Sequence, residues 1–261
     1  MDDTIKIGYS TCPNDTFIFC KLEKEADIVT YLRDVETLNQ WAFREELDVT
    51  KLSFHTWLLV QEQYELLQCG AALGRGCGPL VVSQTEKTLT ADSIIAVPGE
   101  FTTAHLLLRL WNPALKNRIF MPFDQIMEAV ESGKADAGVI IHEGRFVYQQ
   151  QGFHCLEDLG DWWEATTGQP IPLGCIAARK GLGPEKISDI EARLKDSIES
   201  AFADPDSTRD YVRQHAQEWA DDVTREHIKT YVNDFTLDLG EEGRAAIETL
   251  QNMAKAAGII Q

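Results

Sequence analysis

The sequence predicts an α/β protein of two lobes with a ligand cleft between them, and three observations lead there. Short apolar runs alternate with longer amphipathic stretches over residues 4–141, the rhythm of strands separated by crossover helices. Beyond residue 184 the strand-like runs stop and only helical, one-side-charged stretches follow. Pro and Gly interrupt the pattern at Val97-Pro98-Gly99 and again at Pro170-Ile171-Pro172-Leu173-Gly174, the punctuation expected of two crossings between lobes.

In chain order, strands are expected at Thr4–Tyr9, Ile28–Leu32, around Leu52, and at Leu80–Ser83, Ile94–Val97, Arg118–Met121 and Ala137–Ile141. Between them Val35–Glu46, Thr56–Leu67, Thr103–Trp111 and Phe123–Ser132 are long enough for helices that cross over a sheet, which implies mostly parallel pairing. The tail supplies four more helices, at Pro184–Phe202, Ser207–Trp219, Thr224–Asn233 and Glu241–Ala257. A tail of this kind has no sheet of its own, so it is expected to return and cover the first one. The first lobe is then discontinuous, residues 1–97 plus 175–261, and residues 98–174 are an inserted second α/β lobe. This is a type II periplasmic-binding-protein-like fold, whose ligands sit in the cleft between lobes.

The totals narrow the function. The 261 residues carry 24 Lys+Arg against 42 Asp+Glu, a net charge of −18 that repels nucleic-acid phosphates and anionic membranes. A small carboxylate remains a suitable ligand, because a few backbone N–H groups set a local field opposite to that of the whole surface. The start of the chain has no basic segment followed by an apolar one, and no apolar run approaches membrane length, so a cytoplasmic protein is expected. The six cysteines form no CxxC pair and read as reduced, small buried hydrophobes.

Four clusters carry possible chemistry. Ser10-Thr11-Cys12-Pro13-Asn14-Asp15-Thr16 follows the first strand and precedes a helix, the position where parallel sheets bind ligands; Asn14 or Asp15 is also placed to cap that helix. Cys12 is read as packing, because a nucleophilic thiol needs a base and a depressed pKa. Gly74-Arg75-Gly76-Cys77-Gly78-Pro79 precedes a strand instead of joining strand to helix and lacks the Lys-Ser/Thr of a phosphate loop, so it reads as a hinge or cleft wall. Pro98-Gly99-Glu100-Phe101-Thr102-Thr103-Ala104 leads into a helix, where hydroxyls and unpaired N–H groups converge on a carboxylate-sized site and Thr102 is placed as the N-cap.

In the fourth, Ile140-Ile141-His142-Glu143-Gly144-Arg145-Phe146, a buried strand delivers His142 to its carboxyl end, where a neutral imidazole is suited to be a general base. The zinc-protease pattern HExxH fails because Phe146 stands where the second His would be, and no metal or cofactor is expected. Glu143 and Arg145 are expected to pair locally. His55, His105, His154, His215 and His227 have no comparable setting and receive no role.

These clusters, with Asp34-Val35-Glu36-Thr37-Leu38-Asn39, Thr50-Lys51-Leu52-Ser53, Asp158-Leu159-Gly160-Asp161-Trp162-Trp163-Glu164 and Thr230-Tyr231-Val232-Asn233, closely resemble the 1,4-dihydroxy-6-naphthoate synthases over nearly the whole chain. The resemblance implies a lyase that converts cyclic dehypoxanthine futalosine to 1,4-dihydroxy-6-naphthoate in the futalosine route to menaquinone. It implies that His142, in the IIHE motif, is the proton acceptor. It further implies that Lys51, Leu52 and Ser53 bind substrate, and that Thr103 and Ala104 do so beside Thr102. The chain departs from the pattern at Phe54-His55 and at Gly144. A non-catalytic carboxylate-binding protein and the related chorismate dehydratase are the alternatives, and the IIHE segment favours the synthase.

Overall fold

The computed structural model describes residues 4–216 and 221–261, with residue 221 described by its backbone alone. Residues 1–3 of the expected first lobe and residues 217–219 at the end of the expected helix Ser207–Trp219 lie outside the described residues.

Among the described residues eleven strands form two sheets. They are β1 (Ile5–Tyr9), β2 (Ile28–Leu32), β3 (Val49–Ser53), β4 (Tyr64–Leu66), β5 (Ala72–Gly74), β6 (Leu80–Ser83), β7 (Ile95–Val97), β8 (Arg118–Phe120), β9 (Ala137–Ile140), β10 (His154–Asp158) and β11 (Ile171–Arg179). The first sheet runs β2-β1-β3-β11-β4, with β5 also paired to β11; the second runs β10-β6-β9-β7-β8. The chain is thus a mixed α/β protein of two lobes.

Pairing is mixed, not mostly parallel. The βα crossovers give the parallel pairs β1–β2, β1–β3, β7–β8 and β7–β9. The return strand β11 runs antiparallel to β3, β4 and β5, and β6 runs antiparallel to β9 and β10. Its Pro172 and Gly174 had marked the segment as a hinge, yet both lie inside a nine-residue strand. Pro172 sits where the register with β5 shifts, a place where a missing N–H breaks little of the ladder. The expected helix Thr56–Leu67 also divides: a helix at Phe54–Val60 ends and β4 pairs with β11.

The sheets also move the first border. Leu80 pairs with Ile140 and Asp158, so β6 belongs to the second sheet, as β7 does. The chain therefore passes between sheets at residues 75–79, within the Gly-rich cluster, and not at 97–99. A border at 97 is incorrect because apolar strand runs look alike whichever sheet they join, and only pairing tells them apart.

The helices begin where the sequence caps them. Asp34 accepts from the N–H groups of Glu36 and Thr37 at the start of Val35–Ala42, and Asp158 does the same for Gly160 and Asp161 at the start of Leu159–Thr167. That second helix stops at Gly168, which takes the left-handed conformation that a side chain resists. Pro184 opens the long helix Pro184–Ala203, and its Ile187, Ile190, Leu194 and Ile198 pack with Ile5, Ile7 and Ile176 of the first sheet. The last helix, Gly240–Ala256, adds Ala246, Ile247 and Leu250 to the core that also holds Val81 and Val139 of the second sheet and Leu106 of the helix Thr103–Trp111. Shared burial of this kind locks the two sheets around one cleft. Among the described residues no helix is long and apolar enough to cross a membrane.

Candidate active site

The cleft draws its walls from the strand ends of both sheets. From the first sheet, β3 supplies Lys51 and Ser53. Successive side chains of a strand point to opposite faces, so Leu52 between them turns its fully buried side chain into the core. Of the expected triplet, only Lys51 and Ser53 line the cleft by their side chains.

Lys51 Nζ lies 2.6 Å from Asp15 Oδ1, a pair with side chains 7% and 1% exposed. Asp15 is held from three further directions: Ser10 donates from its amide (3.2 Å) and its hydroxyl (2.7 Å), and Asn14 Nδ2 donates at 2.9 Å. Asp15 and Asn14 do not cap their helix; both sit within Pro13–Phe19, whose N-cap is Cys12. Ser53 is fixed by Asn39, which accepts from its amide at 3.0 Å and donates to its hydroxyl at 3.2 Å.

The opposite wall is the start of the helix Thr103–Trp111. Thr102 caps it by accepting from His105 N at 3.2 Å, as its position in the sequence implies. Thr103 Oγ1 donates to Leu173 O at 2.6 Å, which ties this turn to β11. Thr102, Thr103 and Ala104 all line the cleft, and the first N–H groups of a helix have no carbonyl of their own helix to reach. Two buried histidines without an assigned role brace this loop: His55 Nδ1 is 3.3 Å from Thr102 O and His105 Nδ1 is 2.6 Å from Glu100 O. Carbonyls only accept, so both rings carry their proton on Nδ1. Glu36 adds a clasp from the first sheet's side, accepting from the amides of Glu100 and Phe101.

His142 follows β9 and stands in the cleft with φ of 55°, a left-handed backbone that is uncommon outside glycine. Phe123 meets its ring edge to face at 4.7 Å, and Cys12 Sγ lies 3.3 Å from Nδ1. Loss of solvent lowers its pKa from 6.5 to about 4; the Asp15 charge opposes that shift and Lys51 adds to it. The imidazole is therefore neutral at pH 7 and able to accept a proton.

Two details differ from the sequence reading. Arg145 does not pair with Glu143: it donates to Gly78 O at 2.9 Å, Gly76 O at 3.2 Å and Asp158 Oδ2 at 2.7 Å, and so pins the crossing segment. Glu143 keeps a buried Oε2 without a hydrogen bond, and burial, with the Asp124 charge, pushes its carboxyl up to about 7. His227, given no role from sequence, lines the cleft together with Tyr231, four residues on along the same helix. The i, i+4 spacing puts them on one face, but only the packed helix shows that this face covers the site. Among the described residues no group of three or more His, Cys, Asp or Glu side chains is arranged to hold a metal ion.

Comparison with known proteins gives a consistent result. A family model described as "Menaquinone biosynthesis" matches residues 5–256. A 1,4-dihydroxy-6-naphthoate synthase of Streptomyces coelicolor is 45% identical, covering 99% of this chain and 95% of that protein. One from Thermus thermophilus is 43% identical, covering 98% and 96%. A crystal structure of an Archaeoglobus fulgidus protein superposes with a TM-score of 0.94 at 35% identity over 99% of each chain. The alkanesulfonate-binding protein of Xanthomonas axonopodis pv. citri superposes with a TM-score of 0.73 at 14% identity over 99% of this chain and 94% of that one, which shows the binding-protein-like fold alone.

Proposed function

The chain belongs to the menaquinone-biosynthesis family and is similar over its length to enzymes named 1,4-dihydroxy-6-naphthoate synthase, and from that premise we propose that it is a lyase acting on cyclic dehypoxanthine futalosine with His142 as general base. The observation that carries this reading is the neutral imidazole of His142 in one cleft with Ser53 and the Thr102-Thr103-Ala104 helix start.

In this reading the substrate carboxylate docks on the helix start, where the N–H groups of Thr103 and Ala104 and the hydroxyl of Ser53 give it donors. Lys51, beside Ser53 on the facing wall, adds a positive charge that its pairing with Asp15 partly offsets. The lobes exclude water, and His142 takes a carbon-bound proton onto its ring nitrogen. The electron pair left on carbon becomes a new π bond as the neighbouring ring bond breaks, the pair of the broken bond leaves on the departing fragment, which takes up a proton, and aromatisation of the product makes the step favourable. Fixed geometry and desolvation are what the chain itself contributes to the rate. Work on a biosynthetic intermediate of this kind would place the protein in the cytoplasm.

The test is His142→Ala, assayed by the absorbance of the naphthoate product. We expect turnover to fall by roughly two to four orders of magnitude, the usual contribution of a positioned base, with substrate binding retained. Near-normal turnover would remove His142 from the mechanism. Incubating the wild-type protein with chorismate, which should leave it unchanged, separates this reading from chorismate dehydratase.

A further inference from the structure

A chain of hydrogen bonds leads from Lys51 to a second imidazole. Lys51 donates to Asp15 at 2.6 Å, Asn14 Nδ2 donates to Asp15 at 2.9 Å, and Asn14 Oδ1 lies 2.9 Å from His227 Nε2. Each link fixes the next. A carboxylate paired with an ammonium accepts, so the Asn14 group facing Asp15 must be its NH₂, and its other end must be the carbonyl oxygen. A carbonyl oxygen also accepts, so His227 carries its proton on Nε2. His227 is 1% exposed, and burial holds its pKa well below 6.5, so the ring stays neutral.

That neutral ring lies near-parallel to His142, with centroids 6.2 Å apart and an interplanar angle of 26°. His142 also meets the Phe123 ring and the Cys12 sulfur. A charged His227 would repel the imidazolium that forms when His142 takes a proton; a neutral ring does not. Asn14, by accepting and never donating at Oδ1, fixes the proton on Nε2 and the orientation of the ring, while burial keeps it neutral.

We infer that His227 is a positioning residue for the reaction, held by Asn14 so that its uncharged ring sets the plane of the His142 imidazole. The inference rests on His142 as the base. It also gives the helix Asp221–Tyr231, which leads into the Thr230-Tyr231-Val232-Asn233 motif, a function in the site.

The experiment compares His227→Leu, His227→Gln and Asn14→Leu in the full-length protein by steady-state kinetics and thermal melting. His227→Leu should lower kcat roughly ten- to hundredfold, the effect of a misplaced catalytic group, with KM within about threefold of wild type. His227→Gln, which keeps a donor to Asn14 but no ring, should lower kcat as much while melting like wild type, and so separates the ring from the hydrogen bond. Asn14→Leu should reproduce the kcat loss, and combining it with His227→Leu should add little further. An unchanged kcat in His227→Gln, or losses that multiply in the double variant, would overturn the inference. If His142→Ala is inactive and His227→Gln is fully active, this inference alone fails; if His142→Ala is active, the base assignment fails first.

Discussion

Cys12 Sγ lies 3.3 Å from Nδ1 and 3.9 Å from Nε2 of His142. Cys12 follows β1 of the first sheet and His142 follows β9 of the second, so this contact joins the two lobes at the floor of the cleft. The near-equal distances put the sulfur beside the ring and not at the end of either N–H bond. Cys12 therefore limits where the ring can go by filling space.

Burial raises the pKa of the Cys12 thiol well above its ordinary range, and the Asp15 charge adds to this. A neutral thiol is a poor nucleophile, so Cys12→Ala should keep turnover within about tenfold of wild type, a loss attributable to ring positioning alone. In native protein iodoacetamide should modify the exposed Cys155 before the buried Cys12, with activity unchanged at that stage. Peptide mapping by mass spectrometry reads this directly. Early labelling of Cys12 with loss of activity would point to a reactive thiol instead.

Acid should reach the fold before it reaches the base. His55, His105 and His142 are all lowered by burial from 6.5 to about 4, and His227 is lowered as well. Between those values the unfolded chain binds protons that the folded histidines refuse, so their contribution to stability is full above pH 6.5 and is lost as the pH drops toward 4, opposed in part by Glu143, whose raised pKa acts in the other direction. The rate kcat/KM should accordingly show no titration near 6.5 and should decline only toward pH 4, together with a fall in denaturation midpoint. Urea midpoints and initial rates from pH 8 to 4 check both. A kinetic pKa of 6.5 in fully folded protein would mean that His142 is solvated.

Much of this arrangement is legible in the sequence. The runs that became β1, β2, β3, β6, β7, β8 and β9 declare themselves by apolar content, and Thr102 declares its cap by standing before an apolar helical run. The strand β11 did not, because Pro172 and Gly174 carry the same signal in a tolerated strand irregularity as in a hinge. Sheet membership was equally hidden: the pairing of Leu80 with Ile140 spans sixty residues, and no local pattern encodes it. The site divides in the same way. Lys51, Ser53, Thr103 and His142 stand in recognisable motifs, whereas His227 reaches the cleft only through the packing of a distant helix.

The Lys51–Asp15 pair should matter most when one partner is removed. Lys51→Met leaves Asp15, 1% exposed, with a charge and no cation, which costs roughly 3–5 kcal/mol of stability for a buried pair. Asp15 still has the Ser10 and Asn14 donors, so the loss belongs at the lower end of that range. Adding Asp15→Asn to Lys51→Met removes the orphaned charge and should recover a large part of the loss in urea denaturation, without recovering substrate affinity. A single variant as stable as wild type would mean that water reaches the pair.

Gly78 and Gly76 flank Cys77 in the segment that passes between the sheets, and alanine at each should fail in a different way. A Cβ on Gly78 would stand 2.6 Å from both N and Cα of Gly160, at the start of the helix Leu159–Thr167. Neither contact can rotate away, because both are backbone, so the crossing segment and the helix must part. Gly78 and Pro79 line the cleft, and that displacement should raise KM as well as cost about 1–3 kcal/mol of stability. A Cβ on Gly76 meets nothing within 4 Å, but its φ of +63° is left-handed. Gly76→Ala should therefore cost about 1–2 kcal/mol through backbone strain and leave KM alone. Paired measurements of urea midpoint and KM separate the two, and equal KM values for both variants would show that the segment yields without disturbing the cleft.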